Sequence, residues 1–256
     1  MASRGSARIA LRLPTGSVEL EVEAPDGDAP IDRVLPLAQA LTDKIIELTV
    51  LDVEARGRSI SCRAGCGACC RQLVPIGPAE AHRLAALVEA MPEPRRAEVR
   101  RRFEDAARRL DAAGLRADLE ARDGWDKAER RRVGMAYFNL GIACPFLEDE
   151  SCSIHPERPL ACREYLVTSP AENCARPTPE GIDMVATPCS PWTAVARLEP
   201  GPPESRPLPW TPLALALEFA AARPEGASVR PARAIVEELF GNLAAGVRDS
   251  GGRDET

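Results

Sequence analysis

The chain has 256 residues and a formal net charge of −6, which argues against nucleic-acid binding carried by general charge. Its apolar fraction of 45% supports an ordinary hydrophobic core, so disulfides are not needed to replace one. No stretch approaches the roughly 18 consecutive apolar residues of a membrane span, and the first ten residues lack the apolar core of a secretory signal. We therefore expect a cytoplasmic protein without nucleic-acid or membrane partners.

Two alternating segments predict a β-hairpin near the N-terminus. Apolar residues alternate over 8–13 and again over 18–23, and the Pro-Thr-Gly-Ser run at 14–17 is typical of a turn. An isolated hairpin is marginal in water, so we expect this one to pack on the helices that follow. Residues 24–30 are predicted to form a linker.

Apolar residues spaced three and four apart predict a helical body after the hairpin. The pattern indicates one helix over 31–54, a second that begins at Pro78 and a third that begins near Pro94. A fourth is predicted over 126–140. The periodicity then fails from 141 to 209, where prolines and cysteines recur. Long irregular segments are uncommon in compact domains, so we expect a bound group to order this one.

All nine cysteines fall in two stretches of the sequence. The first stretch holds Cys62, Cys66, Cys69 and Cys70, with glycines between them. The second stretch holds the other five, which are Cys144, Cys152, Cys162, Cys174 and Cys189. Clustered cysteines in a reducing compartment indicate metal ligation rather than a disulfide framework. We therefore predict one metal site, or one cluster of sites, built from both stretches.

The cysteines alone leave the metal open. Thiolates are soft ligands that select zinc, copper(I) or iron–sulfur clusters. Adjacent Cys69 and Cys70 point to different sides of the chain in most conformations, so they serve two metals, or one metal and one other role, more easily than a single ion. Cys144 is followed by proline, as is the last cysteine of ferredoxin-type runs. Arginines beside the cysteines would offset the charge of a thiolate site, or they reflect the general abundance of arginine in this chain.

Other interpretations of single residues stay open at this point. The spacing from Cys62 to Cys69 also fits radical S-adenosylmethionine enzymes, but a predicted helix precedes it and no strand–helix repeat follows. His155 is either a further ligand or a structural residue. Arg158 is expected to lie just outside the ligands, where its side chain holds a loop in place or donates a hydrogen bond to a sulfur atom. Cys189, which lies between two prolines, fits a ligand and buried packing equally well.

Beyond the irregular stretch, two further helices are predicted. Thr211 resembles an N-cap with proline at the first helical position, and its helix is expected to run through Ala222. Pro231 is predicted to open the last helix. The predicted fold class is mainly α with a small N-terminal β-hairpin (α+β) and an irregular Cys-rich metal-bound segment. The predicted units are a hairpin and linker over 1–30, a helical metal-binding domain over 31–200, a helical pair packing on it over 201–247 and a disordered tail over 248–256.

The cysteine motifs resemble a known family. Cys-x3-Cys-x2-Cys-Cys is followed by Cys-Pro-Phe-Leu and then by Cys-x-Ile-His-x-x-Arg-Pro-x-x-Cys-Arg. This order resembles the zinc- or iron-chelating cysteine-cluster family, which includes the flagellin N-methylase group and many uncharacterised bacterial proteins described as iron–sulfur oxidoreductases. The resemblance implies eight metal ligands, the last being our choice for the eighth: Cys62, Cys66, Cys69, Cys70, Cys144, Cys152, Cys162 and Cys174.

Three functions are compatible with this sequence. The first is a cytosolic metal-binding protein, holding zinc or an iron–sulfur centre, without turnover of its own. The second, suggested by the methylase relatives, is an iron–sulfur-dependent enzyme of electron transfer or protein side-chain modification, such as lysine N-methylation. The third is a module that binds a protein partner, with the basic runs 95–102 and 130–132 as candidate contacts. No phosphate loop, dinucleotide fingerprint or serine nucleophile motif appears, so no catalytic residue is predicted.

Overall fold

The computed structural model describes residues 5–24, 27–178, 181–199 and 208–247. It is 53% helix and 11% strand, which confirms the predicted fold class. The helices are α1 (Leu35–Ala55), α2 (Pro78–Glu89), α3 (Arg95–Ala112), α4 (Leu115–Glu120), α5 (Lys127–Asn139), α6 (Leu160–Glu164), α7 (Ala171–Cys174), α8 (Pro191–Ala196), α9 (Ala216–Ala221) and α10 (Ala232–Ala245). The strands are β1 (Gly5–Leu13), β2 (Gly16–Ala24), β3 (Asp28–Pro30), β4 (Pro75–Ile76), β5 (Leu147–Glu148), β6 (Ser151–Cys152), β7 (Thr211–Pro212) and β8 (Val229–Pro231). None of the described helices has the length and hydropathy that crossing a bilayer requires.

The predicted N-terminal hairpin is present. Strands β1 and β2 pair antiparallel, with Leu13 opposite Gly16 across a two-residue turn. The side chains of Leu11, Leu13 and Val18 are buried in an apolar cluster shared with α1 and α10, as expected for a hairpin that is marginal by itself. The other alternating apolar side chains, at 9, 20 and 22, are not among the described side chains, and the predicted tail over 248–256 lies outside the described residues.

The prediction of a linker over 24–30 is wrong in its second half. Strand β3 pairs antiparallel with β8, with Ala29 opposite Arg230. The pairing continues into a backbone hydrogen bond of 2.9 Å from the Ile31 amide to the Ser228 carbonyl. A three-residue strand leaves no alternation to detect, and its partner is about two hundred residues away. Such pairing is decided by tertiary structure.

The predicted N-cap at Thr211 is also wrong. Thr211 lies in strand β7, where it pairs with Ile76 of β4, and the Leu213 amide donates to the Val74 carbonyl at 2.9 Å. A 3₁₀ turn over Leu213–Leu215 then leads into α9. The dipeptide Thr-Pro suits both an N-cap and an edge strand, and the strand is stabilised by a partner that follows the first cysteine stretch. Pro231 does precede the last helix, as predicted.

The described residues form three apolar clusters, and the irregular segment from 141 to 209 contributes to each of them. The first cluster joins the hairpin, α1, α8 and α10 and includes Leu160. The second joins α2, α3 and α9 and includes Phe146 and Ile154. The third joins α4, α5 and the end of α3 and includes Ile142. The irregular segment therefore packs against all three clusters through a few large side chains.

Candidate metal centre

The first cysteine stretch is a loop of tight turns between α1 and β4. Backbone amides close these turns: Cys66 donates to the Arg63 carbonyl at 3.2 Å and Cys70 to the Gly67 carbonyl at 3.0 Å. Gly65 has a φ of +80°, a conformation that residues with a Cβ rarely adopt. The loop therefore needs glycine at this position to bring its four cysteines together.

The two stretches touch through their backbones. The Cys144 amide donates to the Cys70 carbonyl at 2.7 Å. A Cβ at Gly67 would lie 2.6 Å from the Glu150 carbonyl oxygen and 2.6 Å from Cδ1 of Leu147, so only glycine permits this approach. The second glycine of the motif is thus the point where the first loop packs on the second stretch.

A small hairpin presents this surface of the second stretch. Strands β5 and β6 pair with Glu148 opposite Ser151, and the two residues of the turn both have positive φ, 48° at Asp149 and 56° at Glu150. Arg71 of the first loop binds both carboxylate oxygens of Glu150, at 2.6 and 3.0 Å. A bidentate ion pair therefore reinforces the backbone contact at Gly67.

Charged side chains hold α6, the short helix that carries Cys162. Arg163 is buried and donates to both carboxylate oxygens of Asp43 on α1, at 2.7 and 3.0 Å. At the end of α6, the Glu164 carboxylate accepts from the Ser190 hydroxyl at 2.7 Å and the Trp192 amide at 2.6 Å. These bonds tie α6 to α1 and α8, so the position of Cys162 is fixed from two sides.

The carboxylate of Glu80 completes this support. Glu80 is 4% exposed and accepts from two backbone amides, Gly77 at 3.0 Å and Leu160 at 2.8 Å. It thereby satisfies a free amide at the start of α2 and another at the start of α6. Sequence analysis missed this residue, although a glutamate three positions after a predicted N-cap is a known capping signal.

The substitution Glu80→Gln is expected to remove a pH dependence of stability. Burial raises the pKa of the Glu80 carboxyl from 4.5 to about 7. Between these values the folded protein binds a proton that the unfolded chain has lost, so wild-type stability falls as the pH rises. Relative to E80Q, the wild type should lose up to about 3 kcal/mol between pH 4.5 and 7. Urea unfolding of both metal-free proteins across this window measures the difference, and a constant difference would contradict the assignment.

Five of the predicted ligands line one cavity of about 440 Å³. They come from both stretches and are Cys62, Cys66, Cys69, Cys162 and Cys174. The Cys62 thiol donates to the Tyr165 carbonyl at 3.8 Å, and the Gln72 amide donates to both the Tyr165 hydroxyl and the Cys174 carbonyl at 3.4 Å. Tyr165 follows α6 and was not singled out from the sequence. It connects cysteines of the two stretches.

The other three predicted ligands do not line this cavity. Cys144 and Cys152 are half-buried and pack against the second apolar cluster. Cys70, which follows Cys69 directly, is also half-buried. Five of the eight cysteines therefore face the cavity, and two pack against the core.

Cys69 interacts electrostatically with thiols of both cysteine stretches. Burial raises the pKa of five other thiols, and in every one of them the Cys69 side chain raises it further; these are Cys62, Cys144, Cys152, Cys162 and Cys174. The pKa of Cys69 is itself raised, first by its hydrogen bond with Cys70 and then by burial. Such thiols hold their protons at neutral pH, and a bound cation would displace them.

The donor set fits a soft metal. It consists of thiols, the ligands that zinc and iron–sulfur centres prefer. Within the described residues, no three side chains of His, Cys, Asp or Glu are arranged so that they could hold a metal ion as they stand. The thiols surround the site instead of converging on one point. Each cysteine has a single χ angle with three staggered positions, so rotamer changes would be part of binding.

Cys189 and His155 occupy different places relative to these thiols. Cys189 is 2% exposed and belongs to the first apolar cluster, with Leu160 and Ala194. It does not line the cavity, which favours buried packing over ligation for this cysteine. His155 is exposed at the rim of the cavity, next to Arg158.

The fold and these thiols define a mainly helical chelating protein. A protein-family model described as CxxCxxCC, a "putative zinc- or iron-chelating domain", matches residues 61–189, about half of the chain. This protein belongs to that family, so the predicted resemblance is confirmed, and with it metal binding as a general property. No curated protein and no solved structure matches the chain. The identity of the individual ligands stays a prediction.

Proposed function

We propose that this protein is a cytosolic metal-binding protein that holds zinc or an iron–sulfur centre between its two cysteine stretches. The observation that carries the proposal is the single cavity in which Cys69 lies together with thiols of both stretches. The proposed ligands are the eight cysteines named above, from Cys62 to Cys174, and Cys189 is left in the core. A bound centre would supply cross-links between the stretches.

Such cross-links would stabilise the part of the chain that has the least regular structure. The segment from 141 to 190 contributes only a few large side chains to each apolar cluster. Structural zinc contributes about 10–16 kcal/mol of apparent binding free energy in small model sites, comparable to the net stability of a domain. The metal would therefore order this segment and hold it against the first loop.

The cavity supports a second candidate, an iron–sulfur-dependent enzyme. Its volume of about 440 Å³ falls within the roughly 300–1,000 Å³ of small-molecule sites. Five thiols line it, together with apolar side chains such as Ile46, Val50 and Val167. A cosubstrate in this space would lie beside the centre, as electron transfer or protein side-chain modification such as lysine N-methylation requires.

A role in binding an acidic protein partner has less support. In the basic run 95–102, five arginines lie within ion-pair distance of glutamates of the same chain: Arg95, Arg96, Arg100, Arg101 and Arg102. These pairs neutralise much of the positive charge that a partner would need. The arginines of this run therefore already have carboxylate partners within the chain.

Metal analysis of protein purified without oxygen tests the two candidates. We expect a stoichiometric content of zinc or of iron. Zinc in a colourless protein would support the binding role and contradict electron transfer. Iron with acid-labile sulfide and broad visible absorption would support a cluster and make cosubstrate binding the next measurement. Freely titrating thiols without either metal would contradict the proposal.

A further inference from the structure

Arg158 lies where a cation would face the proposed centre. It follows a 3₁₀ turn over His155–Glu157 and precedes α6, and its side chain lines the cavity together with the five thiols. The segment therefore places a guanidinium group in the same cavity as Cys162, which lies four residues further along the chain. This is the arginine of the Arg-Pro pair in the second motif.

Three other arginines near the cysteines have carboxylate partners, and Arg63, which also lines the cavity, is exposed. Arg71 binds Glu150, Arg163 binds Asp43, and Arg83 of α2 binds Glu157 at 3.0 Å. Among the described residues, Arg158 forms no such ion pair, and its Nε atom is buried without a hydrogen-bond partner. A buried donor without an acceptor is costly, so an acceptor at this position would be strongly favoured.

The candidates for that acceptor are sulfur atoms of both stretches. Arg158 lines the same cavity as three cysteines of the first stretch and two of the second, which are Cys62, Cys66, Cys69, Cys162 and Cys174. Four thiolates around a divalent ion carry a net charge of about −2, and a nearby guanidinium would offset part of it. Arg158 is thus placed in one cavity with thiols of both stretches.

We propose that Arg158 is the fixed counter-charge of the centre, offering its N–H groups to the thiolates of both stretches and so setting the affinity for metal. This inference rests on the proposed function, because it requires a thiolate centre. It assigns Arg158 a positioning and charge-balancing role and distinguishes it from Arg71 and Arg163, whose charge is already balanced by carboxylates. No hydrogen bond of the Arg158 side chain within the described residues would be lost on substitution.

The test compares Arg158→Gln with Arg83→Gln in the full-length protein. Both substitutions remove one guanidinium, but Arg83 does not line the cavity. The affinity for zinc, measured by competition with a chelator, is expected to fall about 10–100-fold in R158Q and to stay at the wild-type value in R83Q. Arg158→Lys keeps the charge with fewer fixed donors, so its affinity should lie between those of R158Q and the wild type.

A spectroscopic readout separates this role from a structural one. Hydrogen bonds lower the energy of the sulfur donor orbitals, so the thiolate-to-cobalt charge-transfer band of the Co²⁺-loaded protein should move to longer wavelength in R158Q. Unchanged zinc affinity and an unchanged band in R158Q would overturn the inference. Loss of the metal-free fold in R158Q would also overturn it, by assigning Arg158 a structural role. Failure of the wild type to take up either metal would instead overturn the proposed function.

Discussion

Replacing Cys69 by serine is expected to abolish stoichiometric metal retention. Cys69 lines the cavity together with thiols of both stretches, so a centre that joins the stretches there would be expected to use it as a ligand. Loss of an outer partner of a metal ligand typically costs 10–100-fold in affinity, and we expect Cys69→Ser to exceed about 100-fold. Metal content after gel filtration and chelator competition measures the effect.

Cys189→Ala is the matched control for this experiment. Cys189 is buried among apolar side chains of the first cluster, so its removal should leave metal content and affinity unchanged. Its expected cost is about 1 kcal/mol of stability from the small cavity left in the core. Full metal retention by C69S, or loss of metal in C189A, would show that the ligand set is wrong.

Replacing Gly67 by alanine is expected to separate the two cysteine stretches. The new methyl group would lie 2.6 Å from the Glu150 carbonyl oxygen, and this backbone atom belongs to a tight turn with positive φ. To relieve this clash, either the loop at Gly67 or the turn at Glu150 would have to move, and both are adjacent to proposed ligands. We expect a loss of about 1–3 kcal/mol in the free energy of unfolding, as for other overpacked sites, together with a lower metal affinity.

Gly134→Ala is the corresponding control. Gly134 lies inside α5, and a Cβ there would meet no heavy atom within 4 Å. Alanine at such a position should stabilise the helix by about 0.5–1 kcal/mol and leave the metal content unchanged. Denaturant unfolding and metal analysis of both variants test the pair. Wild-type stability and metal content in G67A would contradict the close approach of the stretches.

The helices and the chemical nature of the centre could be predicted from the sequence because their signals are local. The capping box of α5, in which Asp126 accepts from the Glu129 amide at 2.7 Å, lies within four residues. The cysteine spacings likewise identify a soft-metal site and the family without knowledge of the fold. The pairs β3–β8 and β4–β7 could not be predicted, because strands of two or three residues carry no alternation and their partners are distant in the chain.

The roles of the charged residues were decided by tertiary structure. Arg71 and Arg163 adjoin cysteines in the sequence, yet their guanidinium groups bind the carboxylates of Glu150 and Asp43. Arg158 adjoins no cysteine, yet it lines the cavity beside five of them. An arginine next to a cysteine in the sequence has its backbone near that cysteine. The direction of its long side chain is not fixed by this position, because the side chain binds an acceptor that the folded chain brings close to it.

By itself, the sequence determined that this protein is mainly helical and that its cysteines can chelate zinc or iron, because helical periodicity, capping residues and soft ligands act over short distances. The tertiary structure decided which thiols face the cavity and which pack against the core, and it brought Cys69 into one cavity with thiols of the second stretch. It also decided that Cys189 lies in an apolar cluster and that Glu80 supports the helix of Cys162. These arrangements depend on contacts between residues far apart in the chain, which no local pattern records.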